Sequence, residues 1–272
     1  MTIDVDRVGP AVVVLPDGPT LARHAAEHIV TTAGAAVRER NEAHVALTGG
    51  SSPSEVYRIL AAPPLRDRVP WGRVHLWWGD DRFVPRDDPR SNVFIADRDL
   101  LPSGTGRSGI PIPTRNVHPF PCAETIAAGG DADSCAAGYA AELRRLVPID
   151  PAGWPVFDLL LVGIGADGHL LSVFPGSAAF DRPEWAVGIP APTHTEPRVA
   201  RVTLNPAVVA SARAVLAIVR GAGKAAIVAA IFGPQRDPQR WPAQLALRRG
   251  ATWLLDAAAA ALLPFDAPAH PD

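Results

Sequence analysis

The sequence predicts a doubly wound α/β fold, a mainly parallel sheet with helices on both faces. Two observations carry this. Short, nearly continuous apolar runs (Val74–Trp78, Phe157–Val162, Ala214–Val219) pass at once into glycine-bearing turns, as does the pair Ala46-Leu47; strands buried on both faces and leading into loops have this pattern. Between them lie longer stretches with helical periodicity, so at least four strand-to-helix units recur without any repeat of sequence. Right-handed crossovers join such units into one parallel sheet.

In chain order, Ala11–Leu15 is the first strand, bounded by Pro16 and Gly18. Thr20 is placed to cap a helix reaching about Arg40, because Leu21, Ala25, Ile29, Ala33, Ala36 and Val37 recur with a roughly helical period. Ala46 and Leu47 close a second strand, and Thr48-Gly49-Gly50-Ser51-Ser52-Pro53 leads into a helix with Pro53 in its first turn. Such a turn either offers its N–H groups to a phosphate or is an ordinary glycine turn. Val74–Trp78 is the third strand and runs into Gly79-Asp80-Asp81-Arg82-Phe83-Val84-Pro85. That charged loop is either solvated or one wall of a pocket shared with the other strand-end loops.

Ser91-Asn92 precede a helix over Val93–Leu100, and Leu101–Thr114 reads as surface loop, rich in Pro, Gly and Ser. His118 is expected to be structural, since Pro119 and Pro121 fix a turn around it. A helix from about Asp133 to Val147 leads to the central strand. Beyond it, Trp185–Ile189 and Arg198–Leu204 read as strands, and Asn205 caps a helix starting at Pro206. Ala214–Val219 ends in Arg220-Gly221-Ala222-Gly223-Lys224, followed by an apolar helix to Phe232. Lys224 is there as an anion ligand or as a plain exposed cation. Thr252–Leu255 is the last strand; residues 1–263 are expected to form one domain and 264–272 a frayed tail.

Composition narrows the function. With 47% hydrophobic and 20% charged residues the chain is globular, and a net charge of -2 without any dense Lys/Arg run argues against nucleic acid and anionic membranes as partners. The N-terminal residues carry early acids and only a five-residue apolar run, unlike a signal or transit peptide, and no segment is apolar enough to span a bilayer, so a cytoplasmic protein is expected. Cys122 and Cys135 form no CxxC pair and read as free structural thiols.

The chain is organised around Phe157–Gly176, where a buried strand ends at Gly163 and presents Asp167 and His169 one residue apart at the mouth of a turn. Gly163-Ile164-Gly165-Ala166-Asp167-Gly168 fits the dinucleotide pattern G-x-G-x-x-G. The context is poor: a pyrophosphate would meet the Asp167 carboxylate, and Pro175 comes too soon for the long helix that should follow. Two readings remain, glycines that serve packing beside a satisfied histidine, or a general base with its orienting acid where open sheets bind ligands.

Three motifs together resemble the 6-phosphogluconolactonase family: Leu47 to Pro53, Trp78 to Pro85 followed by Ser91-Asn92, and Gly163 to Gly176 with its Asp-Gly-His element. Arg201-Val202-Thr203-Leu204 and Gly221 to Lys224 match two further segments, so the likeness spans nearly the whole chain. Departures are Ser52 for the usual Thr, Asp81 for Glu, and Leu170-Leu171 for Thr-Ala. The resemblance implies a Rossmann-like fold shared with sugar-phosphate deaminases and isomerases. Phe174 stands where the deaminases carry a glutamate, and Arg82 where they carry an aromatic residue.

It further implies hydrolysis of 6-phospho-D-glucono-1,5-lactone in the oxidative pentose phosphate pathway, with no metal and no cofactor. His169 would be the base, Asp167 its orienting acid, and Arg82 a partner of the oxyanion or of the phosphate. Gly49, Gly50, Ser51, Asp80, Arg201 and Lys224 would hold the phosphorylated substrate. A small-molecule sugar lactone is the expected partner, and the protein is expected as a monomer or weak homo-oligomer. The alternatives are an amino-sugar-phosphate deaminase or isomerase, and a non-catalytic sugar-phosphate sensor; a sensor controlling transcription would need a helix-turn-helix, for which the start of the chain leaves no room.

Overall fold

The structure, a computed structural model, describes residues 2–4, 9–102 and 109–264. The first half runs β1 (Thr2–Asp4), β2 (Ala11–Leu15), α1 (Gly18–Arg40), β3 (Ala43–Leu47), α2 (Ser51–Leu60), β4 (Val74–Trp78), β5 (Asp80–Arg82), α3 (Asn92–Asp99), β6 (Val117–His118), α4 (Cys122–Ala127) and α5 (Ala132–Leu146). The second half runs β7 (Leu159–Gly163), β8 (Ala186–Ile189), β9 (Arg201–Leu204), α6 (Val208–Ser211), β10 (Val215–Val219), α7 (Ala225–Ile231), β11 (Ala251–Asp256) and α8 (Ala257–Ala260).

The main sheet has the order β1-β2-β11-β10-β7-β3-β4-β6, parallel throughout except for β1 against β2. From β3 the chain winds outward to β4 and β6, and from β7 it winds the other way to β10 and β11. The strand order therefore reverses between β3 and β7. Loops leaving the carboxyl ends of those two strands diverge and open a crevice, the usual ligand position in doubly wound sheets.

The central strands β3 and β10 are buried along their whole length, and β7 from Leu159 to Val162, as strands covered on both faces require. Two core tyrosines fix strand ends near the crevice. Tyr57 donates its hydroxyl to the Thr48 carbonyl at 2.6 Å and accepts from the Thr48 N–H at 3.2 Å. Tyr139 does the same for Trp78, at 3.0 and 2.9 Å. A satisfied buried hydroxyl of this kind is costly to remove, so both anchors make their loops rigid.

Three expectations change. The cap of α1 is Asp17, whose carboxylate accepts the Thr20 N–H at 2.8 Å; Pro19 then fills the first turn, and Thr20 lies inside the helix. The charged stretch after Trp78 is not simply loop, because β5, β9 and β8 form a second, antiparallel sheet. Gly79 is where the chain changes sheets: its N–H donates to Leu47 O in the main sheet, and its carbonyl accepts the Leu204 N–H of the small one, both at 2.8 Å. Finally, the 101–114 segment is anchored, with Leu101, Ile110 and Ile112 buried in the core; of it, residues 103–108 lie outside the described set. The expected tail falls mostly on 265–272, also outside it. Among the described residues no helix is long and apolar enough to cross a membrane, and Cys122 and Cys135 are free, buried thiols with Sγ atoms 3.6 Å apart.

Candidate active site

A cavity of ≈ 310 Å³ opens at the β3/β7 crevice, within the size range of small-molecule sites. The loops after β3, β4, β7 and β10, four adjacent strands, converge on it, and β9 closes one side.

His169 lines this cavity. Its Nδ1 lies 2.6 Å from Asp167 Oδ1, and its backbone N–H donates to the same oxygen at 3.1 Å. A carboxylate only accepts, so Nδ1 carries the hydrogen, and in the neutral ring the lone pair is on Nε2. Burial alone would raise the Asp167 pKa; the hydrogen bond and charge of His169, with a further bond from His194, outweigh it and hold the carboxyl well below the usual range. Asp167 is thus a permanent anion behind the imidazole. The pair folds back over Gly165, where a Cβ would collide with His169 Nδ1 and the Asp167 carboxylate. That close approach requires Gly165, and Gly168 stands at φ +86°, where a side chain is strained, so two of the three glycines serve the turn itself.

The other walls carry the cations. Arg82 and Arg201 are directly paired residues on β5 and β9, and each has a buried Nε without a hydrogen-bond partner. Arg82 donates Nη1 to the Arg90 carbonyl at 2.5 Å, and Arg201 donates Nη2 to the Pro197 carbonyl at 3.3 Å. Neither interaction neutralises a guanidinium. Burial and then the nearby Arg82 charge lower the Arg201 pKa, which means that the pair repels itself and favours an anion between or beside it. Lys224 reaches in from the start of α7 and donates to the Ile164 carbonyl at 2.7 Å, leaving two of its three ammonium hydrogens for a ligand.

Gly49 and Gly50 line the cavity as expected, with Gly50 at φ +107°. Ser51 does not. The helix α2 begins there, two residues before Pro53, and Ser51 is exposed on its first turn. Asp80 borders the cavity, but its carboxylate is already engaged by the Ser172 hydroxyl at 2.6 Å and Asn92 Nδ2 at 3.2 Å, so it holds two loops together. Asp81 is buried behind it and accepts from the Ser91 hydroxyl and from the N–H groups of Arg82 and Asn92. Burial raises its pKa to about 6 against those hydrogen bonds; its geometry fixes the backbone of Arg82.

Thr48, Asn92, Thr195 and Glu196 also line the cavity, and His194 donates from Nε2 to Asp167 Oδ2 at 3.0 Å. Of these, Thr48 and Asn92 had a signal in the sequence, through their places in the first and second motifs, and His194, Thr195 and Glu196 had none. The 190–200 segment carries neither an apolar run nor a glycine turn, and only tertiary structure brings it to the rim. Phe174 packs against His169, ring centroids 4.7 Å apart.

The profile of the family described as Glucosamine-6-phosphate isomerases/6-phosphogluconolactonase matches residues 16–254. The 6-phosphogluconolactonase of Mycobacterium tuberculosis is 38% identical over 254 residues, covering 92% of this chain and 97% of that one. The solved structure of 6-phosphogluconolactonase from Trypanosoma brucei superposes with a TM-score of 0.79 at 29% identity, covering 93% of this chain and 98% of that one. A monomeric glucosamine-6-phosphate deaminase shares the fold, with a TM-score of 0.73 at 18% identity over 92% of this chain and 99% of that one. With motifs, sheet order and crevice in agreement, this chain belongs to the glucosamine-6-phosphate isomerase/6-phosphogluconolactonase family.

Proposed function

We propose that the protein hydrolyses 6-phospho-D-glucono-1,5-lactone to 6-phospho-D-gluconate, the lactonase step of the oxidative pentose phosphate pathway. The observation that carries this reading is the His169–Asp167 pair, 2.6 Å apart, facing a cavity whose other walls hold Arg82, Arg201 and Lys224. A lactone is an activated ester, so water needs a base and the carbonyl oxygen a stabiliser.

His169 Nε2 takes a proton from water as the hydroxide adds to C1. The tetrahedral oxyanion and the phosphate draw on Arg82, Arg201 and Lys224, with the N–H groups of the Gly49-Gly50 turn beside the phosphate. On collapse the bond from C1 to the ring oxygen breaks, and the ring oxygen takes the proton back from His169. The open-chain carboxylic acid then ionises, and the free imidazole is restored. Asp167 holds the tautomer throughout and stabilises the transient imidazolium.

Phe174 favours this reaction over deamination. An apolar ring, 6% exposed, packs on the imidazole at the position where the deaminases carry an acid. The same reading takes residues 1–263 as one catalytic domain, supported by a hydrophobic core that runs continuously from Val12 to Leu263. It places the enzyme in the cytoplasm, where phosphorylated sugars are held, as a monomer or weak homo-oligomer.

The test is a coupled assay that generates the phosphorylated lactone and follows its decay against spontaneous opening, with His169→Ala as control. Decay well above background that disappears in the control is expected. Background decay from the wild-type protein, or ammonia release from glucosamine 6-phosphate, would overturn the reading.

A further inference from the structure

Asp167 is shared between two imidazoles. Its Oδ1 accepts from His169, and its Oδ2 accepts from His194 Nε2 at 3.0 Å. His194 belongs to the segment joining β8 to β9, which also brings Thr195 and Glu196 to the cavity rim. Phe174 contacts both rings, with centroids 4.7 Å from that of His169 and 5.5 Å from that of His194. Arg201 lies over the same phenyl ring, 5.3 Å from its centroid.

We infer that His194 is a positioning residue for the general base, holding the second oxygen of Asp167 so that the carboxylate stays in the plane that His169 needs. The inference deepens the lactonase reading and rests on it. The terminal torsion of an aspartate is broad, so a carboxylate held through one oxygen can pivot and carry its partner ring with it. Donors on both oxygens remove that freedom, which fixes the direction of His169 Nε2. Small misplacements of a catalytic group cost rate far more than binding.

The surrounding charges do not replace this contact. Lys224 and Arg201 act on Asp167 through their charge, while Glu196 is paired with Arg198 at 3.0 Å. His194 is itself half exposed, so its removal should leave the fold intact and have a moderate effect.

The experiment compares His194→Ala with His194→Gln, whose side-chain amide can still donate to Oδ2. Steady-state kinetics with the phosphorylated lactone are read beside the low-field NMR signal of the His169 Nδ1 proton in protein labelled at histidine nitrogen. His194→Ala is expected to lower kcat about three- to tenfold with KM changed less than about twofold, the scale of one partly exposed hydrogen bond to a charge. Its low-field proton should broaden or move upfield. His194→Gln should recover most of both. Wild-type kcat and an unmoved signal in His194→Ala would overturn the inference, as would an equal rise in KM for both variants at constant kcat, which would make His194 part of the rim alone. If the wild-type protein lacks lactonase turnover, the functional reading fails, and the NMR comparison still decides whether His194 positions the pair.

Discussion

Two of the molecule's pairings of histidine with a carboxylate are close in length and unlike in everything around them. His169 meets Asp167 at 2.6 Å, and His118 meets Glu142 at 2.8 Å. At His118 the other ring nitrogen is also taken, by His75 Nδ1 at 2.9 Å, and the ring is stacked on Trp77 with centroids 4.1 Å apart. At His169 the hydrogen bonds among the described residues run through Nδ1 and the backbone N–H, and the ring borders a cavity with three cations. The pairing itself is therefore not the site. A base needs a lone pair left over and a place for the substrate, and only one of the two clusters has both.

The sharpest way to break this comparison is to neutralise each carboxylate in turn. Asp167→Asn should lower kcat by about a hundredfold or more, because the tautomer and the imidazolium lose their partner. Glu142→Gln should leave kcat within about twofold and lower stability by about 1 kcal/mol, the usual net value of one hydrogen bond. Urea titration together with steady-state kinetics separates the two outcomes, and comparable losses of kcat would remove the distinction.

The next largest effect concerns the cations that line the cavity beside His169. Lys224→Ala should raise KM for the phosphorylated lactone about tenfold or more, while KM for unphosphorylated gluconolactone changes little. Equal changes on both substrates would mean that Lys224 does not serve the phosphate.

The smallest effect belongs to the other cluster and appears as pH dependence of stability. Burial, reinforced by His44 and His118, pushes the pKa of His75 down to about 4. The unfolded chain protonates this group near about 6.5. Its contribution to stability is thus complete above pH of about 6.5 and is lost as pH falls toward 4, where the unfolded state binds a proton that the fold refuses. Replacing His75 with Phe should flatten that acid limb in thermal unfolding and leave kcat near neutral pH unchanged. An acid limb as steep as that of the wild type would assign the loss to other groups.

The sequence made one half of the site legible and hid the other. Gly49, Gly50, His169 and Lys224 follow buried strands directly, and a strand that ends in a glycine turn is a local pattern. Arg82 and Arg201 were found through motifs, but their direct pairing was not, because it depends on an antiparallel sheet between segments 119 positions apart in the chain. Ser51 is exposed on the first turn of α2 and lies outside the cavity lining, a placement that Pro53 in the same turn does not fix by itself. The core role of Leu101, Ile110 and Ile112 was missed because turn-forming neighbours outweigh three isolated apolar residues in any short window.

Periodicity and punctuation placed the buried parallel strands and the long helices, and put an acid and an imidazole two positions apart beyond the end of the central strand. These are short-range properties, written in alternation, apolar runs, glycines and prolines. Contacts across the fold decided the rest: that the order of the sheet reverses between β3 and β7, that Gly79 hands the chain to a second sheet, and that His194 reaches Asp167 from 27 positions away. Such contacts depend on how whole elements pack, and no local window of residues encodes that.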